Sequence, residues 1–80
     1  MSPITRFANE MLDIIGGKPA EIADKVGVSD QSVRFWRSGD REPGLSNLIT
    51  LCEVAGQPHR KHEARALVLA KLESPEPEAA

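Results

Sequence analysis

Cysteine is nearly absent from these 80 residues. The lone Cys52 excludes an internal disulfide and any zinc site built from several cysteines. Tyrosine is missing, and Phe7, Phe35 and Trp36 are the only aromatics. No apolar run approaches the ~20 residues of a bilayer span, and Met1-Ser2-Pro3-Ile4-Thr5-Arg6 lacks the apolar stretch of a secretory signal. We therefore expect a protein of the reducing cytoplasm with no membrane partner. Nothing alternates like a strand. Two His, one Cys and no Tyr offer no paired nucleophile and base, and no Gly-rich phosphate loop occurs. An enzyme fails on this inventory, so no catalytic residue and no cofactor are expected. His59 and His62 are three apart with Glu63 beside them, but no second acid or Cys completes a metal set.

What is present suits one small domain. The length is about half of the ~150 residues used as a one-domain prior, and 40% apolar content supports a single core. The net charge of −2 argues at first sight against a nucleic-acid partner. Glu73, Glu76 and Glu78, however, crowd the last eight residues. Without those three, nine of the twelve acids remain to face ten bases, so residues 1–72 are close to +1. Arg34, Arg37 and Arg41 also fall within eight residues, which makes local charge a better guide than the total.

Periodicity predicts five helices. The first covers 3–15, capped by Ser2, with Pro3 at its first position and Ile4, Phe7, Ala8, Met11 and Ile14 or Ile15 inward; Gly16-Gly17 stops it. The second runs from Pro19 through Val26, burying Ile22, Ala23 and Val26, and ends at Gly27 in a left-handed conformation. Ser29 caps a third, with Asp30 in its first turn, reaching about Ser38 before Gly39. After the loop 40–44, Ser46 caps a fourth through Val54 or Ala55, with Leu48, Ile49, Leu51, Cys52 and Ala55 inward. Pro58 starts a fifth reaching Leu72, with Ala64, Leu67, Val68 and Leu72 on one face. Residues 73–80 read as an acidic, Pro-rich, disordered tail following a domain over 1–72.

The informative stretch is Pro19 to Gly39. A helix-turn-helix needs a small residue where its second helix crosses the first, and Ala23 supplies it. It also needs a turn residue free to take positive φ, and Gly27 stands four positions later. Val28, Val33 and Trp36 then plug the second helix onto the first.

At this point residues 3–56 resemble the lambda-repressor-like (Cro/cI, XRE-type) DNA-binding domain. Ala23-Asp24-Lys25-Val26-Gly27-Val28 is similar to that family's A-x-x-x-G-hydrophobic turn. Trp36-Arg37-Ser38-Gly39-Asp40-Arg41-Glu42-Pro43 is similar to its W-x-x-G-x-x-x-P extension, and Leu48 and Leu51 fit its next helix. The resemblance implies an all-α, compact five-helix fold with the helix-turn-helix in helices two and three, and a double-stranded DNA partner. Pro19 stands where the family often has a phosphate-holding Gln, so clamping there would fall to the amides of Ala20 and Glu21 or to Lys18.

The helical wheel gives the groove face separately. Val33 and Trp36 define the buried side, leaving Gln31, Arg34, Phe35 and Ser38 opposite, flanked by Asp30, Ser32 and Arg37. Such a helix reads base edges mainly with its N-terminal part. Gln31 suits adenine, Arg34 suits guanine, and Ser32 suits a base or a phosphate. Phe35 packs either on a thymine methyl or on a neighbouring helix. Lys18, Arg37, Ser38, Arg41 and Asn47 are the expected phosphate contacts, Arg37 having Asp40 or Glu42 as alternative partners. Asp30 is either a helix-start charge or a cytosine reader.

In the fifth helix Leu67, Val68 and Leu69 are consecutive and cannot all face one core. Ala66, Leu69 and Ala70 then form a second apolar stripe, suited to a two-fold dimer contact. The expectation is a homodimeric transcriptional regulator, a small repressor of Cro or controller type, on a near-palindromic operator; RNA polymerase is a possible further partner. The alternative is an antitoxin or other interaction module on the same scaffold, binding a partner protein through its C-terminal segment.

Overall fold

The computed structural model describes residues 1–73. Its order is α1 (Pro3–Ile15), α2 (Pro19–Val26), α3 (Asp30–Ser38), α4 (Leu45–Val54), a 3-10 turn (Pro58–Arg60) and α5 (Lys61–Glu73). The described residues contain no strand, so the all-α, five-helix expectation holds. Residues 74–80 of the expected tail lie outside the described residues. Glu73, assigned to that tail, lies in α5 instead.

Two helices are started by serine caps. Ser2 Oγ accepts the Thr5 amide at 3.1 Å, and Ser29 Oγ accepts the Ser32 amide at 3.1 Å. The helix-turn-helix corner forms as its spacing predicts. Gly27 sits at φ 86°, and the amides of Gly27 and Val28 both donate to the Ala23 carbonyl, at 2.7 and 3.1 Å. The chain thereby turns from α2 to α3 within three residues, Gly27 to Ser29. Ala23 is buried there, and Val33 and Trp36 close the contact from α3.

The core gathers one face of every helix: Ile4, Phe7, Ala8, Met11 and Leu12 of α1, Ile22 and Ala23 of α2, Val33 and Trp36 of α3, Leu48, Leu51 and Cys52 of α4, and Ala64 of α5. Each large apolar side chain so buried contributes about 1.5–3 kcal/mol. Burial also pushes the Cys52 thiol pKa up, so this cysteine stays protonated and acts as a small hydrophobe. Arg60 staples the 3-10 turn to α1. Its guanidinium lies 5.0 Å from the Phe7 ring centroid and pairs with Glu10 and Glu63. Glu63 is thereby engaged by Arg60.

Several sequence expectations need correction. Gly44, not Ser46, occupies the N-cap of α4, because the helix begins directly after Pro43-Gly44 and Ser46 is already inside its first turn. Leu12, left off the inward list, is fully buried while Ile14 is 46% exposed, since the α1 core stripe runs through 4, 7, 8, 11 and 12. Pro58 starts a 3-10 turn, with the α-helix proper following at Lys61. Leu72, expected inward, is 76% exposed: α5 packs through Ala64, Leu67 and Val68, and its last turn runs past the core.

The cost of Gly27 is separable from packing, because a Cβ built there meets nothing within 4 Å. Gly27→Ala should cost about 1–2 kcal/mol for the left-handed backbone alone, lowering Tm by roughly 4–16 °C for a chain of this size. Thermal unfolding followed by circular dichroism measures it.

Candidate nucleic-acid interface

The outer face of α3 is built by its inner face. With Val33 fully buried and Trp36 nearly so, Gln31, Arg34 and Ser38 project outward and are exposed, and Phe35 is half-buried beside them. Asp30, Gln31, Arg34, Phe35, Ser38 and Asp40 line one shallow hollow along this face. Ser32 is half-buried on the flank, its hydroxyl 3.0 Å from that of Ser29.

Arg34 pairs with Asp30 at 3.6 Å, one helical turn away, and both side chains are more than half exposed. An exposed pair of this kind holds about 0.3–0.5 kcal/mol. The guanidinium is therefore only loosely held. Asp30 thus both favours the helix start and keeps Arg34 along the face.

Arg37 is committed differently. It reaches neither Asp40 nor Glu42; its Nη1 lies 2.7 Å from Asp13 Oδ1 and donates to Asn9 Oδ1 at 2.8 Å. Asn9 in turn donates from Nδ2 to the carbonyls of Thr5, Trp36 and Arg37 at 3.0, 3.3 and 3.4 Å. The C-terminal end of α3 is therefore latched to α1. Sequence reasoning missed Asn9, because a polar residue on a helix flank reveals nothing about a partner 27 positions away.

Ser38 donates from Oγ to the Phe35 carbonyl at 3.2 Å and accepts the Asp40 amide at 3.3 Å, shaping the exit from α3. Lys18 is exposed at the N-cap of α2, where its amide donates to Glu21 Oε1 at 2.8 Å. Asn47 lies half-buried in the first turn of α4. The start of α4 carries no side-chain cap, whereas the Glu21 carboxylate closes the start of α2. The structure brings Gln31, Ser32, Arg34, Phe35, Ser38 and Arg41 together around α3. Ala66, Leu69 and Ala70 are exposed on α5 and belong to a separate surface.

These observations can be set beside known proteins. The helix-turn-helix family model matches residues 16–61, spanning α2, α3, α4 and the 3-10 turn. The chain belongs to the helix-turn-helix family. A relative from Haemophilus influenzae, described as an uncharacterized HTH-type transcriptional regulator, is 39% identical over 46 residues. That stretch is 58% of this chain and 19% of the relative, so the chain spans about a fifth of the length of the curated protein it matches. No solved structure matches. Among the described residues no helix is long and apolar enough to cross a membrane, and no three potential metal ligands gather.

The loop that follows α3 in this helix-turn-helix unit is held by Glu42, which accepts hydrogen bonds from Ser2 Oγ and Lys71 Nζ. The Lys71 and Ser2 hydrogen bonds hold its carboxyl below the usual carboxylate range. A depressed folded-state pKa contributes stability present above the unfolded value and lost as pH falls through the folded one. Acid titration of stability should therefore show a smaller loss below about pH 4.5 in Glu42→Gln than in the parent chain. Urea midpoints measured from pH 7 to 3 would decide it.

Proposed function

We propose that this chain is a sequence-specific DNA-binding transcriptional regulator acting in the cytoplasm as a homodimer. The observation that carries the reading is the outer face of α3. Gln31 and Arg34, two side chains suited to pairing bidentately with bases, stand exposed in its first turns, opposite the buried Val33 and Trp36. Family membership supplies the context in which such a face enters a major groove.

In this reading Gln31, Arg34, Phe35 and Ser32 meet base edges. Lys18, Ser38 and Asn47 meet phosphates, with the amino ends of α2 and α4 supplying amides and positive dipole. Arg37 would join them only by leaving Asp13. Two such helices about one helical turn apart, ~34 Å, would read a near-palindromic operator. Repression by occluding polymerase is the simplest consequence of occupancy, whereas direct contact with RNA polymerase would make the same protein an activator.

Selection of bound sites from random duplexes at ~150 mM salt tests the reading. The expected result is a two-fold motif with half-sites about 10 base pairs apart. On that motif Arg34→Ala should lose about 1–3 kcal/mol and relax discrimination at one base pair. An unchanged affinity would place the docking face elsewhere.

The dimer contact is proposed on α5, where Ala66, Leu69 and Ala70 are exposed and Leu69 shows 54% of its surface. The same stripe favours a second reading, in which a partner protein such as a toxin covers it. Leu69→Glu should give monomers in sedimentation equilibrium while the parent chain gives dimers. A parent chain that is monomeric and acquires a partner only from another polypeptide would favour the second reading.

A further inference from the structure

Phe35 holds Arg41 at both ends. The Phe35 carbonyl, which already accepts the Gly39 amide at 3.0 Å, also accepts the Arg41 amide at 3.4 Å. The Arg41 guanidinium then lies 4.8 Å from the centroid of the Phe35 ring. The side chain does not trail away from the domain, as a residue reaching for the DNA backbone would. It folds back along α3, sharing a small hollow with Ser29, Gln31 and Ser32 of the helix start and with Phe35 and Trp36.

Its charge is also left free. Glu42, the adjacent carboxylate, is turned away to Ser2 and Lys71, and among the described residues Arg41 forms no ion pair. A guanidinium stacked on an aromatic face keeps its N–H edge free for two parallel hydrogen bonds, a geometry a lysine ammonium does not offer. The base edge that accepts such a pair is the O6 and N7 of guanine.

We propose that Arg41 is a specificity-determining residue that reads a guanine from the flank of α3, with Phe35 as the platform that positions it. The inference rests on the DNA-binding reading above and replaces the phosphate role that position alone suggested for Arg41. It makes Arg41 and Phe35 one recognition unit, separate from the guanine contact assigned to Arg34.

The test uses the full chain and the site selected by it. Arg41→Lys retains the positive charge but loses the flat, two-pronged edge. It should weaken binding to the selected site by about tenfold or more, while leaving affinity for random-sequence duplex and its salt dependence at the parent level. Scanning the site with 7-deazaguanine, which lacks N7, should reveal one guanine per half-site at which the parent loses affinity and Arg41→Ala, which has no donor there, loses nothing further. Phe35→Leu should blunt the response at that same guanine, and the Arg34→Ala chain should keep it. If Arg41→Lys binds the selected site as the parent does, or loses equally on selected and random duplex, the proposal is overturned and Arg41 belongs to the backbone contacts. If the parent enriches no site at all, the DNA-binding reading itself falls and takes the proposal with it. Circular dichroism of each variant separates these outcomes from unfolding.

Discussion

The carbonyl oxygen of Ala23 accepts hydrogen bonds from the amides of both Gly27 and Val28, and this double acceptance sets the direction in which α3 leaves α2. It requires a left-handed residue at position 27, which glycine takes without steric cost. It also requires a small side chain at position 23, because the two helices meet there. Once the corner is fixed, Val33 and Trp36 have one place to go, and the polar side chains of α3 are turned outward as a consequence. The outer face thus has no independent origin: it is what the buried face leaves over.

Polar cross-links then fix how α3 and its exit loop sit on the rest of the molecule. Asn9 binds three carbonyls and, through Arg37, ties the last turn of α3 to α1. Glu42 ties the following loop to the first residues of α1 and the last turn of α5 through Ser2 and Lys71. Exposed ion pairs contribute little to stability, commonly about 0–1 kcal/mol, so burial of the apolar faces holds the fold together. What the cross-links add is orientation. They hold Arg37 and Glu42 away from the outer face of α3, and they leave Arg34 and Arg41 as the arginines near it with only a weak partner or none. Of the three arginines that cluster in the sequence, one serves the scaffold.

The sequence carries the local structure well because its signals are local. Ser2, Pro3, Pro19, Gly27, Ser29 and Gly39 act within one turn of where they stand, and each sits at the helix boundary it predicts. The pairing of Ala23 with Gly27, Val33 and Trp36 lies within fourteen residues, so the corner and its outer face could be read directly. The start of α4 is hard to read from side chains, because Ser46 offers a strong cap while Gly44, which takes the position, offers no side chain at all. The exposure of Leu72 is hidden from periodicity, which says which side of a helix is apolar but not where the neighbouring core ends. The partners of Asn9, Arg37, Glu42 and Arg41 were illegible for a different reason. They depend on which helix flanks meet in space, and several link residues 24 to 40 positions apart.

The acidic side chains near the groove face bear on what kind of DNA binding the proposed function entails. Glu21, Asp30 and Asp40 lie among the residues that would approach the duplex in that reading, and residues 1–72 together carry only about +1. Non-specific affinity grows with the number of phosphates a protein neutralises, each adding to the salt dependence. A surface with so few uncompensated cations can make few such contacts, and its carboxylates repel the backbone wherever the register is wrong. Base-edge contacts are not weakened in the same way, because they are directional and made inside the groove. In the proposed function the balance therefore shifts discrimination onto the few side chains that would reach bases. On this argument a domain whose local charge excess is so small is suited to sequence-specific recognition and poorly suited to coating DNA indiscriminately.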